Sequence, residues 1–163
     1  MTRRVLAILL LTFFAGTAEA DPPQKPGPFQ PYYVSQRPDK AYLREGPSFD
    51  HKVLWVYQHK GYPFLVTAKF DVWRRVKDVD GTVGWMSVQM LSDNRTVLVT
   101  GKQRAQIHET LDPASKVVGL ADPGAILGVK GCVQDVCRVY AERVDGWIAK
   151  SFVWGVGADE VFR

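Results

Sequence analysis

Gly61-Tyr62-Pro63-Phe64-Leu65-Val66, followed by Trp73-Arg74-Arg75-Val76 and then by Asp80-Gly81-Thr82-Val83-Gly84-Trp85-Met86, is the stretch on which the reading of this chain turns. Turn residues at Gly61 and Asp80-Gly81 separate short runs in which apolar and polar side chains alternate, the period-two pattern of strands buried on one face. The stretch is also echoed further along. Gly61, Val66, Arg75 and Val76 return as Gly124, Val129, Arg138 and Val139, and Gly84-Trp85-Met86 returns as Gly146-Trp147-Ile148. A repeat of about 50 to 65 residues made of such runs predicts two small copies of one all-β unit.

Working outward, the first copy takes in Tyr42-Leu43 and Val53-Leu54-Trp55-Val56-Tyr57, giving five short strands and no amphipathic helix. That pattern predicts a small barrel. The second copy follows the same order through Gln106-Ile107, Val117 to Leu120, Ile126 to Val129, Cys137 to Tyr140 and Trp147-Ile148. Between them, Arg95-Thr96-Val97-Leu98-Val99 reads as a connector, too short and apolar for a flexible tether, so the barrels are expected to touch.

The N-terminal part is set apart by composition. Arg3 and Arg4 precede the apolar run Val5 to Phe14, and Ala18-Glu19-Ala20 supplies the small-x-small pattern of a signal cleavage site. Residues 1–20 are therefore expected to be a signal peptide, the mature chain to begin at Asp21, and no membrane insertion to remain after cleavage. The apolar run is too short for a span, which needs about 20 residues. Residues 21–39 hold six of the ten prolines and read as a semi-rigid spacer, in which Phe29-Gln30-Pro31-Tyr32-Tyr33 could pack on the first barrel or meet a partner. The expected organisation is signal 1–20, Pro-rich arm 21–39, first domain 40–94 and second domain 95–163.

A formal net charge of +4 is modest, and the basic excess lies in the first copy. Without a basic stripe or a recognition motif, nucleic acid is not an expected partner, although a weak attraction to anionic envelope polymers is. Cys132 and Cys137 flank a plausible turn. In the oxidising compartment implied by the signal they are expected to pair. The alternatives are two buried thiols or a metal site, the latter disfavoured by the missing second cysteine pair and by His108 being the only histidine in that copy. No metalloprotease, nucleophile-elbow or phosphate-loop motif occurs, and neither cysteine reads as an activated nucleophile, so the expectation is a non-enzymatic protein without cofactor or metal.

Leu43-Arg44-Glu45-Gly46-Pro47-Ser48, then Gly61-Tyr62-Pro63, Trp73-Arg74-Arg75-Val76 and Asp80-Gly81-Thr82-Val83-Gly84-Trp85 resemble the bacterial SH3-like domain family in its secreted tandem form. The resemblance covers residues 40–156. It is weaker in the second copy, where Asp112-Pro113 replaces Gly46-Pro47, a residue is lost before Trp147, and Val136 stands where the first copy has Trp73. Trp154-Gly155-Val156 is similar to the ending of such tandem proteins. The resemblance implies two packed SH3-like β-barrels and non-catalytic recognition in the periplasm or outside the cell, with peptidoglycan peptide or an envelope protein as partner. The other reading is a periplasmic interaction or scaffold module without wall affinity.

Aromatic side chains near loops give large contact area at low entropic cost, which makes Tyr42, Tyr57, Tyr62 and Trp73 the candidate ligand-binding residues. Arg74 and Arg75 join them as possible clamps for a carboxylate. All six lie in the first copy, so binding is expected there. Trp85 and Trp147, each just after a turn glycine, are expected to fill the cores.

Overall fold

A computed structural model describes residues 28–163; the expected signal peptide and residues 21–27 of the Pro-rich arm lie outside the described residues. Fourteen strands and two short 3-10 turns make up the described chain. In the first half they are β1 (Tyr32–Gln36), β2 (Ala41–Arg44), β3 (Val53–Tyr57), β4 (Pro63–Phe70), β5 (Trp73–Lys77), β6 (Val83–Ser87) and β7 (Leu91–Ser92). In the second they are β8 (Thr96–Val99), β9 (Ala105–His108), β10 (Val117–Ala121), β11 (Ile126–Val133), β12 (Val136–Ala141), β13 (Val144–Ala149) and β14 (Val153–Trp154).

The two sheets repeat one topology. The first runs β3-β2-β6-β5-β4-β1-β7 and the second β10-β9-β13-β12-β11-β8-β14, strand for strand the same order. Local irregularities repeat as well. β4 and β5 are joined by a two-residue turn that begins with Asp71 at φ 45°, and β11 and β12 by one that begins with Gln134 at φ 47°, the positive φ that tight hairpins require. A bulge interrupts each of these hairpins, between Val66 and Ala68 and between Val129 and Gly131.

Two expectations are corrected. The Pro-rich segment does not stay outside the fold to residue 39, because Tyr32–Gln36 pairs with both β4 and β7. Likewise Thr96–Val99, read as a connector, is the counterpart strand β8, pairing with β11 and β14. The connection proper is only Asp93-Asn94-Arg95, three residues between β7 and β8.

Each sheet closes over its own core. Leu43, Phe64, Val66, Val76 and Met86 fill the first, and Ile107, Leu127, Val129, Val139 and Ile148 fill the corresponding places in the second. The residues that fill the cores from β6 and β13 are thus Met86 and Ile148, both fully buried. Trp85 and Trp147, expected as core residues, point to the other face and are half-buried. Strand parity forces this outcome once the following residue is committed inward. The preceding glycines are explained by the same crossing. A methyl group on Gly84 would lie 2.6 Å from Leu43 Cγ and 2.8 Å from the Arg44 carbonyl, and one on Gly146 would lie 2.5 Å from the His108 carbonyl.

The Cys132–Cys137 disulfide forms as expected, between directly opposed residues with Cα atoms 4.0 Å apart. The Cys132 backbone bonds to Phe162 instead, donating to its carbonyl at 2.9 Å and accepting its N–H at 3.1 Å. The cysteines therefore oppose each other as a non-hydrogen-bonded pair, where cross-strand side chains come closest.

The barrels meet along a built seam. The Tyr33 ring stands edge-on to Trp154 at 5.4 Å, Thr96 Oγ1 donates to the Gly61 carbonyl at 2.5 Å, and Ser35 Oγ donates to the Asn94 carbonyl at 2.6 Å. Gly155, at φ 123°, follows Trp154 where a methyl group would sit 2.5 Å from the Thr96 carbonyl and 3.1 Å from Pro63 Cβ. Arg95 closes the seam. Its guanidinium donates to both carboxylate oxygens of Glu160, at 2.7 and 3.0 Å, and to the Gly155 carbonyl at 2.9 Å, while lying over the rings of Tyr33 and Phe162.

Candidate functional site

The six candidates from the first copy are not brought to one place. Tyr57 and Tyr62 come together, with ring centroids 5.1 Å apart, beside Phe64. Trp73 is buried elsewhere, its ring against Phe49 at 4.9 Å. Arg74 turns back on the chain, donating to the carbonyls of Asp71 and Trp73, both at 2.9 Å. Tyr42 and Arg75 are exposed; Arg75 faces Trp85 across β5 and β6, and Tyr42 is two residues from Arg44, which faces Trp85 from the other side. No pair of arginines flanks Trp73 as a clamp.

The Tyr57–Tyr62 pair lines a notch of about 390 Å³ at the open edge of the first sheet. β3, the edge strand, contributes Trp55, which is 59% exposed, and Tyr57, which is buried. The turn between β5 and β6 contributes the carboxylates. Asp78 is buried, with Oδ2 accepting the Tyr57 hydroxyl at 2.6 Å and Oδ1 accepting the Thr82 N–H at 2.7 Å; Asp80 stands exposed beside it. Burial, then the hydrogen bond to Asp78, pushes the Tyr57 hydroxyl pKa far up. Burial, reinforced by the charges of Asp78 and Asp80, moves Tyr62 up to about 12. Both hydroxyls are thus neutral donors at physiological pH. The notch presents aromatic faces and two carboxylates, which suits an apolar group carrying a positive charge.

This notch belongs to the first copy alone. At the corresponding positions the second copy has Ala121, Ala125 and Ala141 for Tyr57, Tyr62 and Asp78. Sequence reasoning missed Asp78 and Asp80 because Asp80-Gly81 carries a turn signal, and it missed Trp55 because alternation along Val53 to Tyr57 does not fix which set of side chains faces inward. The signal that could have found them is the loss of both aromatics and the acid together in the second copy. Among the described residues, no three His, Cys, Asp or Glu gather in a way that could hold a metal ion.

Residues 37–93 match the bacterial SH3 domain family. That stretch spans the first sheet from just after β1 through β7. No curated protein matches the sequence. Among solved structures, NlpC2 from Trichomonas vaginalis superposes with a TM-score of 0.35 at 9% identity, covering 77% of this chain and 48% of its own. NlpC1 from the same organism gives 0.35 at 9%, covering 79% and 47%. The chain spans about half the length of these structures, and likeness at that level carries no functional argument.

Proposed function

We propose that this is a non-enzymatic binding protein of the bacterial envelope that takes a cell-wall peptide in the notch of its first barrel. One observation carries the reading: exposed Trp55 and the Tyr57–Tyr62 pair converge on two carboxylates in a notch that the second copy lacks. Aromatic faces hold an extended peptide by contact area, and exposed Asp80, with the charge of buried Asp78 behind it, suits the free amino group of a diamino-acid side chain. The match of residues 37–93 to bacterial SH3 domains supports an envelope setting. So does the disulfide, which belongs to oxidising compartments.

Co-sedimentation with purified peptidoglycan tests the reading. Wild-type protein is expected in the pellet. Trp55→Ala and Asp80→Asn, both at exposed positions, are expected to move most of it to the supernatant, with a loss of about tenfold or more in affinity. Wild-type protein that stays soluble with peptidoglycan would make the molecule an interaction module without wall affinity instead. Pelleting unaffected by either substitution would remove the notch from the proposal.

A further inference from the structure

The second barrel is open where the first is covered. In the first, the loop between β2 and β3 is tied by Glu45 N–H to the Lys52 carbonyl, and Arg44 holds its tip by donating to the carbonyls of Phe49 and His51. This places Phe49 over Trp73. The second copy keeps the frame, with Glu109 N–H to the Lys116 carbonyl and the His108 ring nitrogen Nδ1 3.2 Å from the Ser115 carbonyl. The matched loop bonds place Pro113 at the position of Phe49, correcting the sequence reading that set Asp112-Pro113 against Gly46-Pro47, and the hairpin register places Val136 at that of Trp73. Two large aromatics are replaced by smaller residues, and a groove of about 300 Å³ lies there.

The groove runs up to Trp147. Across the sheet Trp147 stands between Arg138 on β12 and His108 on β9, as Trp85 stands between Arg75 and Arg44 in the first copy. Beyond Trp147 and Leu111, which line both, a second hollow of about 380 Å³ continues toward Phe162. The two hollows offer apolar floors on either side of a Trp ridge: Val136 and Phe152 in one, Val133 and Phe162 in the other. Among side chains lining them, the charged ones are all basic, namely Arg104, Lys130, Arg138 and Arg163. Arg104 is held by Asp122, and Lys130 and Arg138 by Asp145. All three pairs are solvent-exposed, and such pairs contribute little to stability, so a ligand carboxylate gives up little by competing for the same cations.

We infer that this face of the second barrel binds an extended acidic peptide, with apolar side chains at alternating positions entering the two hollows and carboxylates meeting the surrounding cations. The charge of the lining selects carboxylates, and hollows on either side of a ridge suit the alternate side chains of an extended chain, which point to one face. Trp and Arg are the residue types that carry most interface energy. The site is distinct from the notch of the first barrel in position and in the sign of its charge.

The test uses the full chain and two fluorescein-labelled octapeptides, one alternating leucine with glutamate and one alternating leucine with lysine, read by fluorescence anisotropy. The acidic peptide is expected to bind and the basic one to bind this face at least tenfold more weakly, which requires the notch to be silenced by Trp55→Ala in both titrations. Val136→Trp with Pro113→Phe copies the covered arrangement of the first barrel and is expected to reduce acidic-peptide binding about tenfold or more. Should that double variant fail to fold, Arg104→Glu with Arg138→Glu, both at exposed positions, is expected to give the same loss at low salt, with the gap from wild type narrowing at high salt. Equal binding of the two peptides, no binding of the acidic one, undiminished binding by a folded variant, or binding of peptide-free glycan strands in its place would each overturn the inference.

Discussion

Asp78 is buried in the first barrel together with the neutral polar residues Ser35, Gln36 and Ser87, and as a carboxylate it is tolerated because both oxygens are occupied. The Thr82 N–H comes from its own turn, but the Tyr57 hydroxyl comes from the edge strand, so this bond fastens β3 to the turn after β5. Tyr57→Phe leaves the ring packing against Phe64 intact and removes only the donor. The expected effect is a loss of about 1 to 3 kcal/mol in urea unfolding, the range for stranding a buried acceptor, with the larger part expected because the acceptor is charged. A midpoint equal to that of wild type would show that water replaces the hydroxyl and that the notch is wetter than its burial implies.

At the scale of elements, the disulfide is the clearest case of a local device. It closes a hairpin of two intervening strand residues and a two-residue turn, and the chain-entropy argument gives so short a loop about 2 kcal/mol. Cys132→Ala with Cys137→Ala is expected to lose at least that much in denaturant unfolding, and dithiothreitol is expected to bring wild type to nearly the same midpoint. A double variant as stable as wild type would mean that the hairpin is held by its core contacts alone.

The same scale explains what could be read from the sequence and what could not. The hairpins β4–β5 and β11–β12 and the pairing of Cys132 with Cys137 were legible because their information is local: alternation on both sides of a tight turn. β1 and β8 were not, since Tyr32–Gln36 lies among prolines and Thr96–Val99 lies between domains, and each becomes a strand through partners about 30 residues or more away in sequence. The facing of Trp85 and Trp147 turned on a choice of parity that a half-buried strand leaves undecided until its neighbour is placed. The covered state of Trp73 required knowing that Arg44 folds the preceding loop over it, which no spacing encodes.

For the whole molecule, the two halves share one frame and differ in their fittings. The first copy has Tyr57, Tyr62 and Asp78 where the second has alanines, and the second has an open groove where the first has Phe49 on Trp73. What joins the copies is the seam around Arg95. Its hydrogen bonds hold the Glu160 carboxyl below the usual carboxylate value, outweighing the opposing effect of burial. A carboxyl lowered on folding contributes stability above its unfolded pKa, near 4.5, and loses it as pH falls through the lower folded value. Glu160→Gln is therefore expected to reduce stability by about 1 kcal/mol at neutral pH, with the difference from wild type shrinking as pH drops below 4.5. Thermal melts of both proteins across that range would decide it, and a gap that persisted unchanged at low pH would assign the loss to packing instead of charge.

The link of only three residues between β7 and β8 has a consequence for anything long enough to touch both halves. A jointed pair of domains can adapt its reach to whatever it meets, whereas a pair locked at Gly155 and Arg95 cannot. Two contacts on one polymer reinforce each other only if their separation matches the molecule's own, and then with no loss of freedom on the second contact. Were the two proposed sites to engage one polymer, the seam would make the chain a fixed gauge, responding to the spacing of epitopes along a strand in addition to their chemistry.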